Sequence, residues 1–333
     1  MRIGIDFGGT KTEIVGLNAR NGKELYRQRI PTKKNDYEGQ IKNFISLVLA
    51  AEEATGQAGT VGMAIPGSLS PLDGKVRNCN ALYMNGRDLK GDLEKALARE
   101  VRIENDANCF VVSEAIDGAA AGKSCVFGVI IGTGCGGGFY INGKIVRGVN
   151  AIGGEWGHNP LPFPRVYAPE GLNDDMFVMP RAYQKQGRPE YVTDQPGWAE
   201  YPGEISYCGR RGMLEEWVSG TGFKMDYKRV TGDDMSTHDI IENANRGEQK
   251  AVDALERYCD RLARGLAGVI NIIDPDVIIL GGGMSNVEYL YKRVPEIWGN
   301  YVFSDVVLTQ LKPPRHGDSS GVRGAAWLWP KEE

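Results

Sequence analysis

The sequence predicts a two-lobed α/β protein with a cleft between its lobes, on three observations. A chain of 333 residues exceeds the length at which one hydrophobic core usually keeps growing, so two lobes are expected. Strand-like runs alternate with amphipathic helical runs, which implies a mostly parallel or mixed sheet with helices packed on it. A unit of strand, glycine turn and strand opens the chain and returns after residue 125, at the head of the second half.

Met1 to Phe7 reads as a short buried strand, with Ile3 and Ile5 alternating with Arg2 and Gly4. Gly8-Gly9-Thr10-Lys11-Thr12 makes a tight turn and Glu13 to Leu17 a returning strand. Gly8 and Gly9 let backbone approach a ligand closely, and amides at such a turn can form an anion-binding nest; a plain hairpin turn is the other reading. A Walker A loop is excluded, because Gly-Lys-Thr and a following helix are both missing. Tyr37 to Glu53 has helical periodicity, with Ile41, Phe44, Ile45, Val48 and Leu49 on one face. Thr60 to Ile65 is a strand closed by Pro66-Gly67, Leu89 to Ala98 a second helix, and Val101 to Ile103 another strand.

That strand runs into Arg102-Ile103-Glu104-Asn105-Asp106-Ala107-Asn108, and Ala107 to Ala121 looks helical. Asn105 and Asp106 therefore sit where a strand gives way to a helix, the place where open α/β sheets bind ligands. Either they cap the helix, as Asn and Asp often do, or Asp106 faces a ligand and takes a proton from a hydroxyl.

Cys125 to Ile131 is the next strand, Gly132-Thr133-Gly134-Cys135-Gly136-Gly137-Gly138 a turn, and Phe139 to Ile141 a strand that ends in the turn signal Asn142-Gly143. A strand follows this glycine run, so it is not a dinucleotide fingerprint, which needs a helix there. Two such hairpins, one per half, are expected if facing lobes each offer a backbone loop to one polyphosphate. In Ala151 to His158 glycines surround Glu155 and His158, which suits side chains aimed into a cleft or a structural loop. Pro160 to Pro202 holds eight of the sixteen prolines and reads as a long irregular loop. Thr237 to Asn245 is a short helix and Ala251 to Ile273 a long one with an apolar core stripe. Asp276 to Leu280 is a buried strand ended by Gly281-Gly282-Gly283, where a flat base or ribose could lie against backbone. His316-Gly317-Asp318-Ser319-Ser320-Gly321 matches a nucleophile elbow by chance, since no histidine follows it. Gly321 to Trp329 reads as a closing helix with Val322, Ala325 and Trp329 inward.

A formal charge of −4 argues against a general nucleic-acid partner, which wants a basic stripe. The six cysteines are scattered, several in apolar runs, as reduced buried thiols are and a disulfide framework is not. With no leader and no membrane-length apolar run, a cytoplasmic location without membrane contact is expected.

The motifs Asp6-Phe7-Gly8-Gly9-Thr10-Lys11, Glu104-Asn105-Asp106-Ala107-Asn108, Gly132 to Gly138, Gly154-Glu155-Trp156-Gly157-His158 and Leu280-Gly281-Gly282-Gly283 together resemble the ROK (repressor, open reading frame, kinase) family of sugar kinases. The likeness runs essentially end to end and is nearest to the bacterial fructokinase, or manno(fructo)kinase, type. It implies the two-lobed actin-like, ribonuclease H-like ATPase fold. Residues 1–118 would form the small lobe, joined by a last helix at about 317–333, and residues 119–316 the large lobe, with an irregular proline-rich insertion at 160–205. It further implies transfer of the γ-phosphoryl group of ATP, with Mg²⁺, to the 6-hydroxyl of a free hexose, fructose first and mannose next. N-acetylglucosamine kinase and glucokinase are the alternatives within the family, and a sugar-sensing transcriptional repressor is the alternative of another class, disfavoured because the first strand begins at Arg2.

By this resemblance Gly4, Ile5, Asp6, Phe7, Gly8, Gly9, Thr10 and Lys11 would hold ATP in the first hairpin, and Gly132, Thr133, Gly134, Cys135, Gly136, Gly137 and Gly138 in the second. Gly281 and Gly282 would lie near the adenosine, and Asp6 would position Mg²⁺. Gly67, Asn80, Asn105, Asp106, Glu155, His158 and Glu215 would bind the sugar, with Tyr83 where the family has tryptophan, and Asp106 would be the base. A homodimer is also implied.

One motif departs. The family's structural zinc uses the histidine of Gly-His and three cysteines, whereas this chain reads Ser206-Tyr207-Cys208-Gly209-Arg210-Arg211-Gly212-Met213-Leu214-Glu215. His158 and Cys208 are two ligands of the four such a site wants; serine and methionine stand at the others, so the zinc is expected to be lost.

Overall fold

The computed structural model describes residues 1–167, 192–193, 195–317 and 320–329. In chain order the strands and helices are β1 (Arg2–Phe7), β2 (Lys11–Leu17), β3 (Glu24–Pro31), α1 (Tyr37–Thr55), β4 (Thr60–Ile65), β5 (Ser68–Leu69), β6 (Val76–Arg77), α2 (Leu89–Leu97), β7 (Val101–Asn105), α3 (Asp106–Ile116), β8 (Cys125–Ile131), β9 (Cys135–Ile141) and β10 (Lys144–Ile145). There follow β11 (Val166–Tyr167), β12 (Val192–Thr193), α4 (Glu215–Val218), α5 (Gly220–Thr231), α6 (Thr237–Asn245), α7 (Gln249–Ile273), β13 (Val277–Gly281), α8 (Glu288–Trp298), β14 (Gln310–Lys312) and α9 (Ser320–Ala326).

Two five-stranded mixed sheets carry the fold, in the orders β3-β2-β1-β4-β7 and β10-β9-β8-β13-β14. Each is headed by a hairpin, β1–β2 and β8–β9, with parallel neighbours β4 and β13 on its first strand. Each sheet has its own core. Ile3, Ile5 and Phe7 pack with Phe44, Leu47 and Val48 of α1; Phe127 and Val129 pack with Leu262 and Leu266 of α7.

Two helices lie between the sheets. A side chain at Gly4 or Gly62 would overlap the carbonyls of Val322 or Ala325, so the first sheet accepts α9 backbone directly. Phe110 and Val111 of α3 fill the space left by Gly281 and Gly128 in the second sheet. The helices meet where Gly324 lies against the Cys109 carbonyl. Asp117, just past α3, bonds Arg323 Nη2 at 2.5 Å, His316 Nε2 at 3.0 Å and Trp327 Nε1 at 3.1 Å, tying the last segment to this junction.

Several expectations need correction. The strand β3 and the buried residue Leu47 escaped the reading, while Leu49, placed on the inner face, is half exposed. The helix α3 stops at Ile116 rather than Ala121, because Glu114 Oε2 takes the Ala119 amide at 2.8 Å and turns the chain. The closing helix ends at Ala326; Trp329 is only half-buried and bonds the Val61 carbonyl at 2.9 Å. Cys208 is exposed and Cys125 partly so, while the other four cysteines are buried. Ile273, placed on the core stripe of α7, is exposed at the helix end. Ser320 of the rejected elbow is buried and donates to Glu114 Oε1 at 2.7 Å. Most of the proline-rich insertion lies outside the described residues, as do Asp318 and Ser319.

What holds the described ends of that insertion was not foreseen. Three arginines of α7, Arg257, Arg261 and Arg264, are buried. Glu200 Oε1 lies 2.8 Å from Arg261 Nε and 2.5 Å from Arg264 Nη2, and Arg264 Nη1 also donates to the carbonyls of Pro162 and Phe163 at 2.9 and 2.8 Å. Asp226 and Asp260 complete the charge balance beside Arg257, Arg261 and Arg264.

Candidate active site

Between the sheets opens a cavity of about 900 Å³. Its walls include Gly67, Asn80, Asn105, Asp106, Gly132 to Gly137, Glu155, His158, Cys208 and Glu215. Gly67 and Glu215, 148 positions apart in sequence, thus share one concave surface. A second cavity of about 580 Å³ adjoins it, sharing Asn105, Gly137, Ile152 and Glu155.

The cap and the acid are different residues. Asn105 is the N-cap of α3: its Oδ1 accepts from the amides of Ala107 at 2.9 Å and Asn108 at 3.4 Å. Its Nδ2 donates to the Gly67 carbonyl at 3.2 Å, which leaves one amide hydrogen for a ligand. Asp106 occupies the first helical position, with Oδ1 on the Ala107 amide at 2.8 Å. Burial pushes its carboxyl up to about 6, the Ala107 hydrogen bond opposes this, and nearby Glu155 adds to it. The Asp106 carboxyl is therefore a weaker acid than an ordinary aspartate, nearer the range suited to proton transfer at neutral pH.

Glu104, at the end of β7, builds the junction beneath. Its Oε1 accepts from the Asn105 amide at 2.9 Å and from Asn108 Nδ2 at 3.0 Å, while Oε2 pairs with Arg147. The sequence motif around Glu104 assigns it no partner, and nothing local marks Arg147. A charged residue at the end of a buried strand was the available signal.

The second hairpin is a tighter turn than the glycine run suggested. Only Gly132-Thr133-Gly134 forms the tip, and Cys135 to Gly138 are already in β9, paired in register with Ile131 to Gly128. Its position is set from outside: the Gly220 amide donates to the Gly132 carbonyl at 2.8 Å, and Glu215 Oε2 accepts from the Cys135 amide at 2.8 Å. Gly138 faces Asn108 rather than the cavity. In the first hairpin Gly9, Thr10 and Lys11 are exposed, and the turn is closed by Gly8 N to Lys11 O at 3.0 Å. Gly4, Ile5 and Phe7 are removed from the ligand face, because Ile5 and Phe7 are core and Gly4 receives α9. Gly281 likewise makes room for Phe110, while Gly282, at φ +77°, lies against Ile131 beside the Gly132 tip.

Asp6 shares the inner face with Gly4. Burial pushes its carboxyl up to about 7, with Asp106 and Glu13 adding to the effect and Lys11 and Arg29 opposing it. A buried carboxyl raised by a second carboxylate nearby suits a divalent cation. Tyr83, in the tryptophan position, donates to the Lys33 carbonyl at 2.9 Å and packs against the first core.

The zinc ligand set does not fit. Ser206 and Met213 are buried, the Ser206 hydroxyl donates to Cys208 Sγ at 3.2 Å, and a neutral hydroxyl and a thioether are poor partners in a closed zinc site. Among the described residues one group of three metal-ligating side chains comes together, His238, Asp239 and Glu242, all exposed on α6.

Residues 2–332 match the family described as the ROK family. The chain is 37% identical over 328 residues to an N-acetyl-D-glucosamine kinase of Yersinia enterocolitica, covering 98% of this chain and 99% of that one. It is 35% identical over 329 residues to an N-acetyl-D-glucosamine kinase of Haemophilus influenzae, covering 99% of each. Among solved structures it resembles a ROK hexokinase from Thermus thermophilus with a TM-score of 0.78 at 25% identity, over 98% of this chain and 96% of that one. A ROK family glucokinase from Streptomyces griseus, solved with glucose and AMPPNP, shares the fold with a TM-score of 0.72 at 23% identity, over 98% of each chain. No described helix is long and apolar enough to cross a membrane.

Proposed function

The chain belongs to the ROK family of sugar kinases, and on that premise we propose that it phosphorylates N-acetylglucosamine, or a closely related hexose, at the 6-hydroxyl with ATP. The observation that carries the chemistry is Asp106 on the wall of the same cavity that the Gly132-Thr133-Gly134 tip lines. Fructose, which the resemblance to the fructokinase type put first, gives way to N-acetylglucosamine because the relatives that match nearly the whole chain are N-acetyl-D-glucosamine kinases. The adjoining cavity at Asn105, Ile152 and Glu155 supports this choice, since it leaves room for a bulky ring substituent.

In this reading Asn80, Asn105, Glu155, His158 and Glu215 hold the sugar hydroxyls, and Gly67 lines the pocket. Asp106 accepts the proton of the 6-hydroxyl as the phosphoryl group moves across. With its carboxyl at about 6, it is ionised at pH 7 by roughly ten to one. Phosphoryl transfer goes through a loose transition state, so positioning and charge stabilisation do most of the work. Gly8 to Lys11 and Gly132 to Gly134 cradle the phosphates with backbone amides and the Lys11 charge, and Gly282 lies near the adenosine. Asp6 would hold Mg²⁺, which when bound neutralises phosphate charge and relieves the repulsion between Asp6 and Asp106. Closure of the lobes about α3 and α9 would exclude water from the phosphoryl group. A homodimer is part of the reading, with exposed Ile272 and Phe303 as apolar surface for a second copy.

The test is ADP release measured with N-acetylglucosamine, glucose, mannose and fructose. The highest kcat/KM is expected for N-acetylglucosamine. A higher value for fructose overturns the substrate, and no release with any hexose overturns the kinase.

A further inference from the structure

Backbone hydrogen bonds from the Leu214 amide to the Asn159 carbonyl at 2.8 Å and from the Leu161 amide to the Gly212 carbonyl at 2.9 Å hold the Glu215 loop beside His158, but they leave the imidazole itself unfixed, and the zinc ligands are not there to fix it. Tyr207 stands between the two poor substitutes. Its hydroxyl lies 3.0 Å from His158 Nε2, and its ring meets the imidazole edge-on at a centroid distance of 5.6 Å. The nearest carboxylate to that nitrogen is Glu155 Oε2, at 3.7 Å, beyond hydrogen-bond reach. Tyr207 is 80% exposed, so core packing does not explain its place, and both it and His158 line the cavity.

We propose that Tyr207 is a positioning residue that replaces the metal: its phenol donates to His158 Nε2 and fixes the imidazole as the Nδ1–H tautomer, oriented for the sugar. This rests on the sugar-site reading above for its consequence, and on the 3.0 Å contact with the phenol as donor for the tautomer. A phenol is protonated at neutral pH and has one O–H to give. A nitrogen that accepts it cannot carry a proton, so the imidazole proton moves to the other ring nitrogen. Zinc on one ring nitrogen likewise leaves the proton on the other; here a side chain does it. The anchor behind the loop is the buried Glu200, Arg261 and Arg264 cluster, which grips the start and end of the insertion. The loop is thus held by hydrogen bonds and ion pairs at both ends.

Two measurements test this. The chain has three histidines, so long-range ¹⁵N–¹H spectra of the imidazoles can be assigned with H158Q. Metal-free wild type should show His158 as one Nδ1–H tautomer, and Y207F a mixture; an unchanged tautomer in Y207F overturns the proposal. This readout does not need the kinase assignment to hold. In the ADP-release assay, Y207F should raise the sugar KM roughly three- to tenfold, the worth of one net hydrogen bond, with kcat within about twofold. Zinc chelation followed by Mg²⁺ replacement should leave the wild-type KM unchanged. An unaltered KM in Y207F, or activity lost on chelation and restored by zinc, refutes it. A wild type inactive on every hexose while Y207F still scrambles the tautomer would condemn the kinase reading and leave the clasp standing.

Discussion

Replacing Asp106 by Asn tests the catalytic reading through two opposite effects. The amide keeps the shape of the carboxyl and its Oδ1 can still accept the Ala107 amide, as the carboxylate does at 2.8 Å, so the N-terminus of α3 should be undisturbed. The acceptor for the sugar proton is gone, and kcat should fall by roughly 10²- to 10⁴-fold, the usual weight of a general base. Stability should move the other way. The native state holds this carboxyl at about 6 instead of 3.8, which corresponds to at most about 3 kcal/mol of destabilisation. The sign follows from linkage: a raised carboxyl is harder to ionise in the folded chain, so the cost is absent below the unfolded value and complete above the folded one. The variant should therefore melt a few degrees higher than wild type at pH 7 to 8, with the gain fading as pH falls from about 6 toward 4. In wild type kcat/KM should drop below pH about 6, and D106N should lack that limb. Steady-state kinetics from pH 5 to 8 and thermal melts at the same values read both. Near-normal turnover, or a lower melting temperature at pH 7 with intact secondary structure, would refute the reasoning.

Two further perturbations test the scaffold. G324A places a methyl group against the Cys109 carbonyl at the crossing of α3 and α9; overpacking of backbone cannot relax as a side chain would, so urea unfolding should show a loss of about 3 kcal/mol or more. E200Q breaks the buried cluster on α7 and should cost roughly 3 to 5 kcal/mol at pH 7. Burial alone would raise the Glu200 carboxyl, but Arg264 and Arg261 outweigh it and hold it below its usual range. The wild-type advantage over E200Q is thus present above the unfolded carboxylate value and should shrink as pH falls through the folded one, which melts at pH 3 to 7 would detect.

Repeating local patterns made much of this protein legible before any coordinates. The paired hairpins, the strand-to-helix step at Asn105-Asp106 and the glycine-flanked Glu155 and His158 are signals within a few residues, where periodicity and turn chemistry act. The ring of side chains around the cavity followed from resemblance, and the cavity brings its members together. Local pattern could not separate glycines that meet a ligand from glycines that meet a helix. Gly132 and Gly134 form a tip, whereas Gly4, Gly62, Gly138 and Gly281 are bare because α9 or α3 lies on them, a contact between segments far apart in the chain. The same holds for charge. Arg257, Arg261 and Arg264 look like the solvent face of an amphipathic helix until Asp226 pairs with the first and Glu200, 61 and 64 residues away, with the other two. The partners of Glu104 and His158 were equally out of reach. Sequence by itself determined the paired hairpins, the family and the place of Asp106 at a strand-to-helix step, since those depend on neighbours along the chain. Tertiary structure alone decided how far that acid is raised and what steadies the histidine, because burial and hydrogen bonding are set by groups that folding brings from elsewhere.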